Sequence, residues 1–333
     1  PALVGAGSVQ RGQQCTTGFE AGMVRIRMMR AIMLAGCASL LAQGQVEFHR
    51  MPGKIEVVLG GKPFTNFYYG PERAKPFLHP LRTVSGVVVT RGFPIGKIEG
   101  ESTDHIWHHG LWYGHGDING TDFWRDLPGK TGRLEVAKVK TTGKSIRAEI
   151  NMVTVAKQVL GTMVEEFGFA RSGAYHIVDV RITIRADKGQ ALKLGDTEEG
   201  ALGFRFADEF REDRGAVLSN SDGLTGAKEI WGKRAKWVDY STQIKGEKAG
   251  VVIFDHPQNP KYPTFWHARG YGLNAANPFG EHDFYKDKTR DGSVTVPQGG
   301  SLVFRYRVVI HPGMLDSIDP EKLAQDFARE VNQ

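Results

Sequence analysis

With 333 residues, 40% of them hydrophobic and 24% charged, the chain has the composition of a soluble globular protein of one large or two ordinary domains, not of a disordered or fibrous one. Four arginines and one glutamate in the first 44 residues carry half of the formal charge of +6, and no basic run with interleaved aromatics follows, so nucleic acid is not an expected partner. The 42 glycines and 15 prolines supply the turns that an all-β chain needs.

The first predicted element is a leader. Arg25, Arg27 and Arg30 precede an apolar run over residues 31–42, and Ala42, Gln43 and Gly44 place small residues at a cleavage site before Gln45. That is the layout of a secretory signal peptide over residues 23–44, with residues 1–22 an untranslated or disordered leader and 45–333 a single β-sandwich domain. The run is shorter than the roughly 20 residues a membrane span needs, so no transmembrane segment is expected and the protein should be periplasmic or secreted. Leu34, Ala35, Gly36 and Cys37 also match a lipobox, which makes a lipid anchor at Cys37 the alternative. Both cysteines, Cys15 and Cys37, fall in this leader, leaving the mature chain without a disulfide framework or a thiol nucleophile.

Alternation of apolar and polar residues dominates from Val46 onward. Residues 54–59, a Gly60-Gly61 turn and residues 63–69 predict a hairpin. Residues 133–140 alternate strictly, turn at 142–144 and return over 145–155, while 174–186, 251–254 and 301–310 give further strands. Helical pattern is confined to residues 319–331, where Asp319 caps, Pro320 takes the first position and Glu321 follows. A large antiparallel sandwich of two stacked sheets with one short C-terminal helix fits this order.

The chemistry concentrates in residues 104–117, which hold four of the 11 histidines and two of the six tryptophans. Imidazoles bind metals or move protons near neutral pH, and indoles pack on the apolar faces of sugars. On a strand His105 and His109 would share one face, and His108 would take the other with Trp112. Residues 231–240 interleave Trp231, Trp237 and Tyr240 with Lys233, Arg234 and Asp239, and residues 254–267 add His256, Trp266 and His267. Glu198 and Glu199 form a carboxylate pair beside a turn, which suits acid–base work but equally suits a solvated loop. Phosphate loops, H-E-x-x-H and G-x-S-x-G are absent, and any cofactor stays unknown from the sequence.

These stretches resemble a bacterial family known by the label "methane oxygenase PmoA". The resemblance runs through residues 79–82 (His-Pro-Leu-Arg), 89–91 (Val-Thr-Arg), Asp104, His105, Trp112, Asn119-Gly120 and Phe123-Trp124. It continues through 196–203, 231–234 (Trp-Gly-Lys-Arg), Asp239-Tyr240, 255–257 (Asp-His-Pro), Trp266-His267, Tyr271-Gly272, 277–280 (Asn-Pro-Phe-Gly) and 305–307 (Arg-Tyr-Arg), spanning about residues 46–313. Arginine or a small residue often stands in that family where His109 is, and another histidine where Trp107 is. The order of residues 77–82, a strand, then His108-His109-Gly110 is also similar to the galactose-mutarotase-like β-supersandwich, whose members bind sugars with histidine and glutamate. The resemblance implies a supersandwich and a small-molecule or oligosaccharide ligand.

The leading expectation is a carbohydrate-active protein, with epimerisation, elimination and hydrolysis all open. His105, His108, His256, His267 and Glu199 are the candidate catalytic groups. Arg82, Lys233, Arg234, Asp239 and Tyr240 are candidate polar contacts to the ligand, and Trp107, Trp112 and Trp266 candidate stacking surfaces. No metal site is assigned. A non-catalytic carbohydrate-binding protein and a His-ligated metalloenzyme, an oxygenase as the family label suggests, are the alternatives.

Overall fold

The computed structural model describes Gly7 and residues 44–330. Apart from Gly44, the expected signal peptide, the Cys37 lipobox and Cys15 lie outside the described residues.

Five strands open the chain: β1 (Val46–Met51), β2 (Lys54–Leu59), β3 (Lys62–Tyr68), β4 (Phe77–Leu78) and β5 (Leu111–His115). Four long ones follow, β6 (Arg133–Thr142), β7 (Ser145–Val153), β8 (Val159–Ser172) and β9 (Tyr175–Arg185), then β10 (Leu192–Leu194), β11 (Gly200–Arg205) and β12 (Val217–Asn220). The last six are β13 (Trp237–Ile244), β14 (Glu247–Asp255), β15 (Phe265–Arg269), β16 (Leu273–Asn277), β17 (Val294–Val296) and β18 (Ser301–Pro312). The first sheet runs β1-β2-β3-β4-β5-β11-β16-β15 and the second β12-β13-β14-β18-β9-β8-β7-β6, with β10 and β17 paired apart. The pairings are antiparallel, so the class is all-β, as alternation predicted.

Local chemistry sets the best-read pieces. Gly60 and Gly61 both take positive φ (58° and 75°), which a two-residue hairpin turn of this hand requires, and they join β2 to β3 in register Leu59↔Lys62. At the other end, Asp319 Oδ1 accepts the Lys322 N–H at 2.9 Å and starts the helix Pro320–Glu330.

Inward-facing Leu111, Leu202 and Phe204 of the first sheet share one core with Val180, Ile182 and Phe304 of the second. Each such side chain contributes roughly 1.5–3 kcal/mol on leaving water. The C-terminal helix covers the β13-β14-β18 part of the outer face of the second sheet, seating Phe327 and Leu323 against Trp237, Val252, Phe254 and Val309. The outer face of the first sheet carries a separate small cluster built on Phe77, Trp112, Trp124, Leu273 and Ala275.

Candidate functional site

Strand register on that outer face lays out the site. Trp112 on β5, Gly203 on β11, Ala275 on β16 and His267 on β15 stand opposite one another across four strands. Arg205, Leu273 and Arg269 form the next row. Gly203 is required here: a Cβ would come within 2.5 Å of the Trp112 indole, which lies across it.

The segment before β5 is not a strand. His105 adopts φ 46° and the His108 N–H returns to its carbonyl at 3.0 Å, so the chain reverses. The expected separation of His105 from His108 therefore fails, because the turn brings both rings into one column. Trp112 stacks on His108 (centroids 5.2 Å), His108 on His105 (4.8 Å) and His105 on Tyr271 (5.1 Å). Trp107 meets both histidines edge-on, and Trp124 meets His108 likewise. His109 turns away, its Nε2 on the Ile106 carbonyl and its ring against Phe77. A left-handed backbone at a residue other than glycine is unfavourable and is retained where its surroundings enforce it.

Asp104 anchors the column. Its Oδ1 accepts from Arg91 and Arg205, each at 2.7 Å and each with a wholly buried side chain, and its Oδ2 bonds His105 Nδ1. Burial pushes the Asp104 carboxyl up, but Arg205 above all, then the His105 hydrogen bond and Arg91, hold it down at about 2. His105 is thereby oriented with Nε2 making no hydrogen bond to the described residues, on a side chain 36% exposed. His108 is kept neutral, chiefly by burial and then by Arg205.

The opposite wall comes from the turn before β11. Glu199 bonds Arg125 at 2.8 Å, and Arg125 also holds Asp122 at 2.9 Å. Burial raises the Glu199 carboxyl, opposed by Arg125 and reinforced by Glu198 and Asp122. His267 donates through Nδ1 to the Glu198 carbonyl at 2.7 Å and accepts at Nε2 from Arg269 at 2.8 Å. With both nitrogens occupied, burial first and Arg269 second bring it to about 3. Tyr271 is pushed up to about 12, mainly by burial, and Arg205, Arg269, Glu199 and Asp104 all act on it, so both walls address the same ring. Around this face the indole N–H groups of Trp107, Trp112, Trp124 and Trp231 and the Arg205 Nε–H are buried without a partner among the described residues.

Of the residues singled out from the sequence, the fold brings His105, His108, His267, Glu199, Trp107 and Trp112 to this face. Trp112 is fully covered, with His108 on its ring, and Tyr271 carries His105 and, 4.7 Å over its ring, Arg205, so the aromatic surface left partly open is that of the half-buried Trp107. The rest lie elsewhere for identifiable reasons. His256 packs edge-on against Phe327 of the C-terminal helix, and Trp266 points into the core with its indole on the Ala235 carbonyl. Arg82 donates to the Phe64 carbonyl, Lys233 is exposed, and Arg234 holds the carbonyls of Lys261 and Pro263 while lying 3.9 Å over Phe265. Asp239 is buried on the second sheet, bonded to His311 and Ser241. Tyr240 crosses the core and donates to the Leu273 carbonyl at 2.8 Å while accepting the Arg269 N–H at 3.1 Å, which fixes Arg269 from behind. Arg91, Arg205, Arg125 and Arg269 were not foreseen, because the partners that give them a role are distant in sequence. Asp104 had a signal in its place beside His105. Among the described residues no group of three histidine, cysteine or carboxylate side chains is arranged to hold a metal ion, and no helix is long and apolar enough to cross a membrane.

A family model described as "Family of unknown function (DUF6807)" matches residues 54–327. The chain belongs to this family. No curated protein matches the sequence. Solved structures that it resembles include a galactose mutarotase related enzyme from Lactobacillus acidophilus, at 9% identity and TM-score 0.36 over 80% of this chain and 97% of that one. A galactose mutarotase-like protein from Lactobacillus casei gives 9% and 0.35 over 80% of this chain and all (100%) of that one. The GH36 α-galactosidase AgaA from Geobacillus stearothermophilus gives 10% and 0.38 over 81% of this chain and 41% of that one. The functional reading of this DUF6807 member rests on its own site.

Proposed function

We propose that the outer face of the first sheet binds a saccharide and moves a proton on it, in a protein exported through the leader over residues 23–44. The observation that supports this most is the Asp104–His105 pair, an oriented, partly exposed imidazole with a free nitrogen within the aromatic column. With Nδ1–H held by an ionised carboxylate, Nε2 is the basic nitrogen, and Asp104 stabilises the imidazolium formed when it takes a proton. Glu199, raised by burial, is the group to return a proton from the other wall. The half-buried ring of Trp107 suits the C–H face of a sugar, and the guanidinium of Arg269 suits its oxygens. Epimerisation, elimination and hydrolysis all use such a pair of groups.

The test is a proton-NMR screen of glycosides, oxidised glycosides and uronides against the whole mature chain. In the reaction that appears, His105→Ala and Glu199→Gln should each lower the rate by about 10²–10⁴-fold while binding stays within a few-fold. Binding without turnover, unchanged in both variants, would reduce the site to a binding module. No saccharide binding at all would end the reading. Export is checked separately by the intact mass of periplasmic protein, expected to begin at Gln45.

A further inference from the structure

Apart from the column of rings, a groove of about 750 Å³ opens at one end of the sandwich. That is a size typical of small-molecule sites, which run from roughly 300 to 1,000 Å³, and more than a lone inorganic anion fills. Three cations reach it from three separate elements: Arg73 from the β3–β4 connection, Arg133 from the start of β6, and Lys157 from the β7–β8 turn. Lys75, Asp126 and Glu135 complete its charged lining, leaving a surplus of two positive charges.

Several of these cations have donors to spare. Arg73 Nε is buried and makes no hydrogen bond, its nearest acid being Glu72 at 3.5 Å. Arg133 spends one terminal nitrogen on the carbonyls of Pro71 and Arg73, faces Glu135 at 3.4 Å through Nε and keeps only its other terminal nitrogen free, and Lys157 has no acidic partner among the described residues. Tyr69, Pro71, Pro76 and Pro128 add ring surfaces to the walls. Cations spaced on different elements between apolar walls match an extended ligand with repeated carboxylates better than a single oxyanion.

We propose that this groove is a second ligand site, which takes an acidic oligosaccharide of the polyuronate type. It stands independently of the proton-transfer reading, although one loop serves both places. Asp122 and Arg125 face the column, while Asp126, Leu127 and Thr131 line the groove. Lys75 spans the two, lining the groove while its buried ammonium donates to the Trp124 carbonyl at 2.6 Å.

Calorimetric titration with tetragalacturonate and with neutral galactotetraose tests it, on the wild type, Arg73→Gln, Lys157→Gln and Arg269→Gln, the last at the ring column. The acidic tetramer should show a binding event that weakens as salt rises and that the neutral one lacks. Arg73→Gln and the exposed Lys157→Gln should each weaken this event about tenfold, with Arg269→Gln unchanged in it. Equal binding of both tetramers, or none of either, overturns the proposal. So does a loss confined to Arg269→Gln, which would move the uronate to the ring column and leave the proton-transfer reading standing. Displacement by millimolar sulfate would reduce the groove to a simple anion site.

Discussion

The outer faces of the two sheets use the same kinds of residue and treat them oppositely. On the second sheet, Trp237 donates its indole N–H to Glu321 at 3.0 Å, His311 bonds Asp239 at 2.8 Å, and Arg307 grips Asp179 through two nitrogens and Glu330 through one of these. A helix then covers the β13-β14-β18 part of that face. On the first sheet, four indole N–H groups and the Arg205 Nε–H are buried and unpaired, and an imidazole nitrogen of His105 stays free. A buried donor without an acceptor costs about 1–3 kcal/mol, so a fold keeps several on one face only where something offsets them. Residue type alone does not distinguish a structural tryptophan or histidine from a functional one. Partnering does.

The largest effect expected from this asymmetry is acid lability. His79 (to about 4), His115 (to about 4) and His267 (to about 3) are lowered, foremost by burial, and so are His108 and His109. All five sit in the first sheet or the loops that enter it. In the unfolded chain each takes a proton near pH 6.5, whereas the folded state refuses it until the pH is far lower. Stability is therefore full above pH 6.5 and falls as pH drops toward about 4, each histidine adding up to about 1.4 kcal/mol per pH unit. Urea midpoints at pH 7, 6 and 5 should fall steadily. A flat profile would mean that these imidazoles are not held neutral.

How much of this was legible follows from the same contrast. β6, β7, β9 and β18 have at least one partly solvated face, so their alternation is plain in the sequence. β5, β11 and β16 are buried on both faces and β15 nearly so, which erases the period-2 signal and hid the strands that carry the site. The histidine-rich stretch was found because its composition is unusual. Its geometry was not, since the turn at His105 depends on Arg91 and Arg205 meeting Asp104. Arg82, Lys233, Arg234, Asp239 and Tyr240 carry hydrogen-bonding groups suited to a ligand, but backbone carbonyls, solvent or buried side chains take them.

A smaller effect separates an unpaired group off the site from those on it. Glu165 on β8 is fully buried with both oxygens unpartnered, and burial alone raises its carboxyl well above the usual range. The Tyr113 hydroxyl, on which it acts, is unpartnered too. Because the folded pKa is raised, the protonated group is fully compatible with the fold below about pH 4.5, and stability is lost as pH rises through the folded value. Glu165→Met removes an unsatisfied polar group from the core. It should stabilise the protein by about 1–3 kcal/mol near neutrality, with a gain that grows between pH 6 and 8 in thermal melts. A destabilised variant would show that the carboxyl has a partner in solution.

The smallest effect tests the comparison most directly, by making the same substitution on the two faces. Trp237→Phe and Trp107→Phe each delete an indole N–H and a similar amount of ring surface. Trp237 loses a bond to Glu321, and a hydrogen bond to a charged group contributes about 1.5–3 kcal/mol at full burial and less here, where Glu321 is 46% exposed. Trp107 loses a donor that has no partner, which returns part of its desolvation cost. Trp237→Phe should therefore be the less stable of the two by about 1 kcal/mol in urea unfolding. Saccharide binding should reverse the order. If a ligand oxygen accepts the Trp107 N–H, Trp107→Phe weakens binding by a few-fold while Trp237→Phe leaves it untouched, because its indole is committed to the C-terminal helix. Equal losses of stability, together with equal binding, would mean that the unpaired indoles of the first sheet are not held ready for a ligand, and the contrast between the two faces would then be one of packing alone.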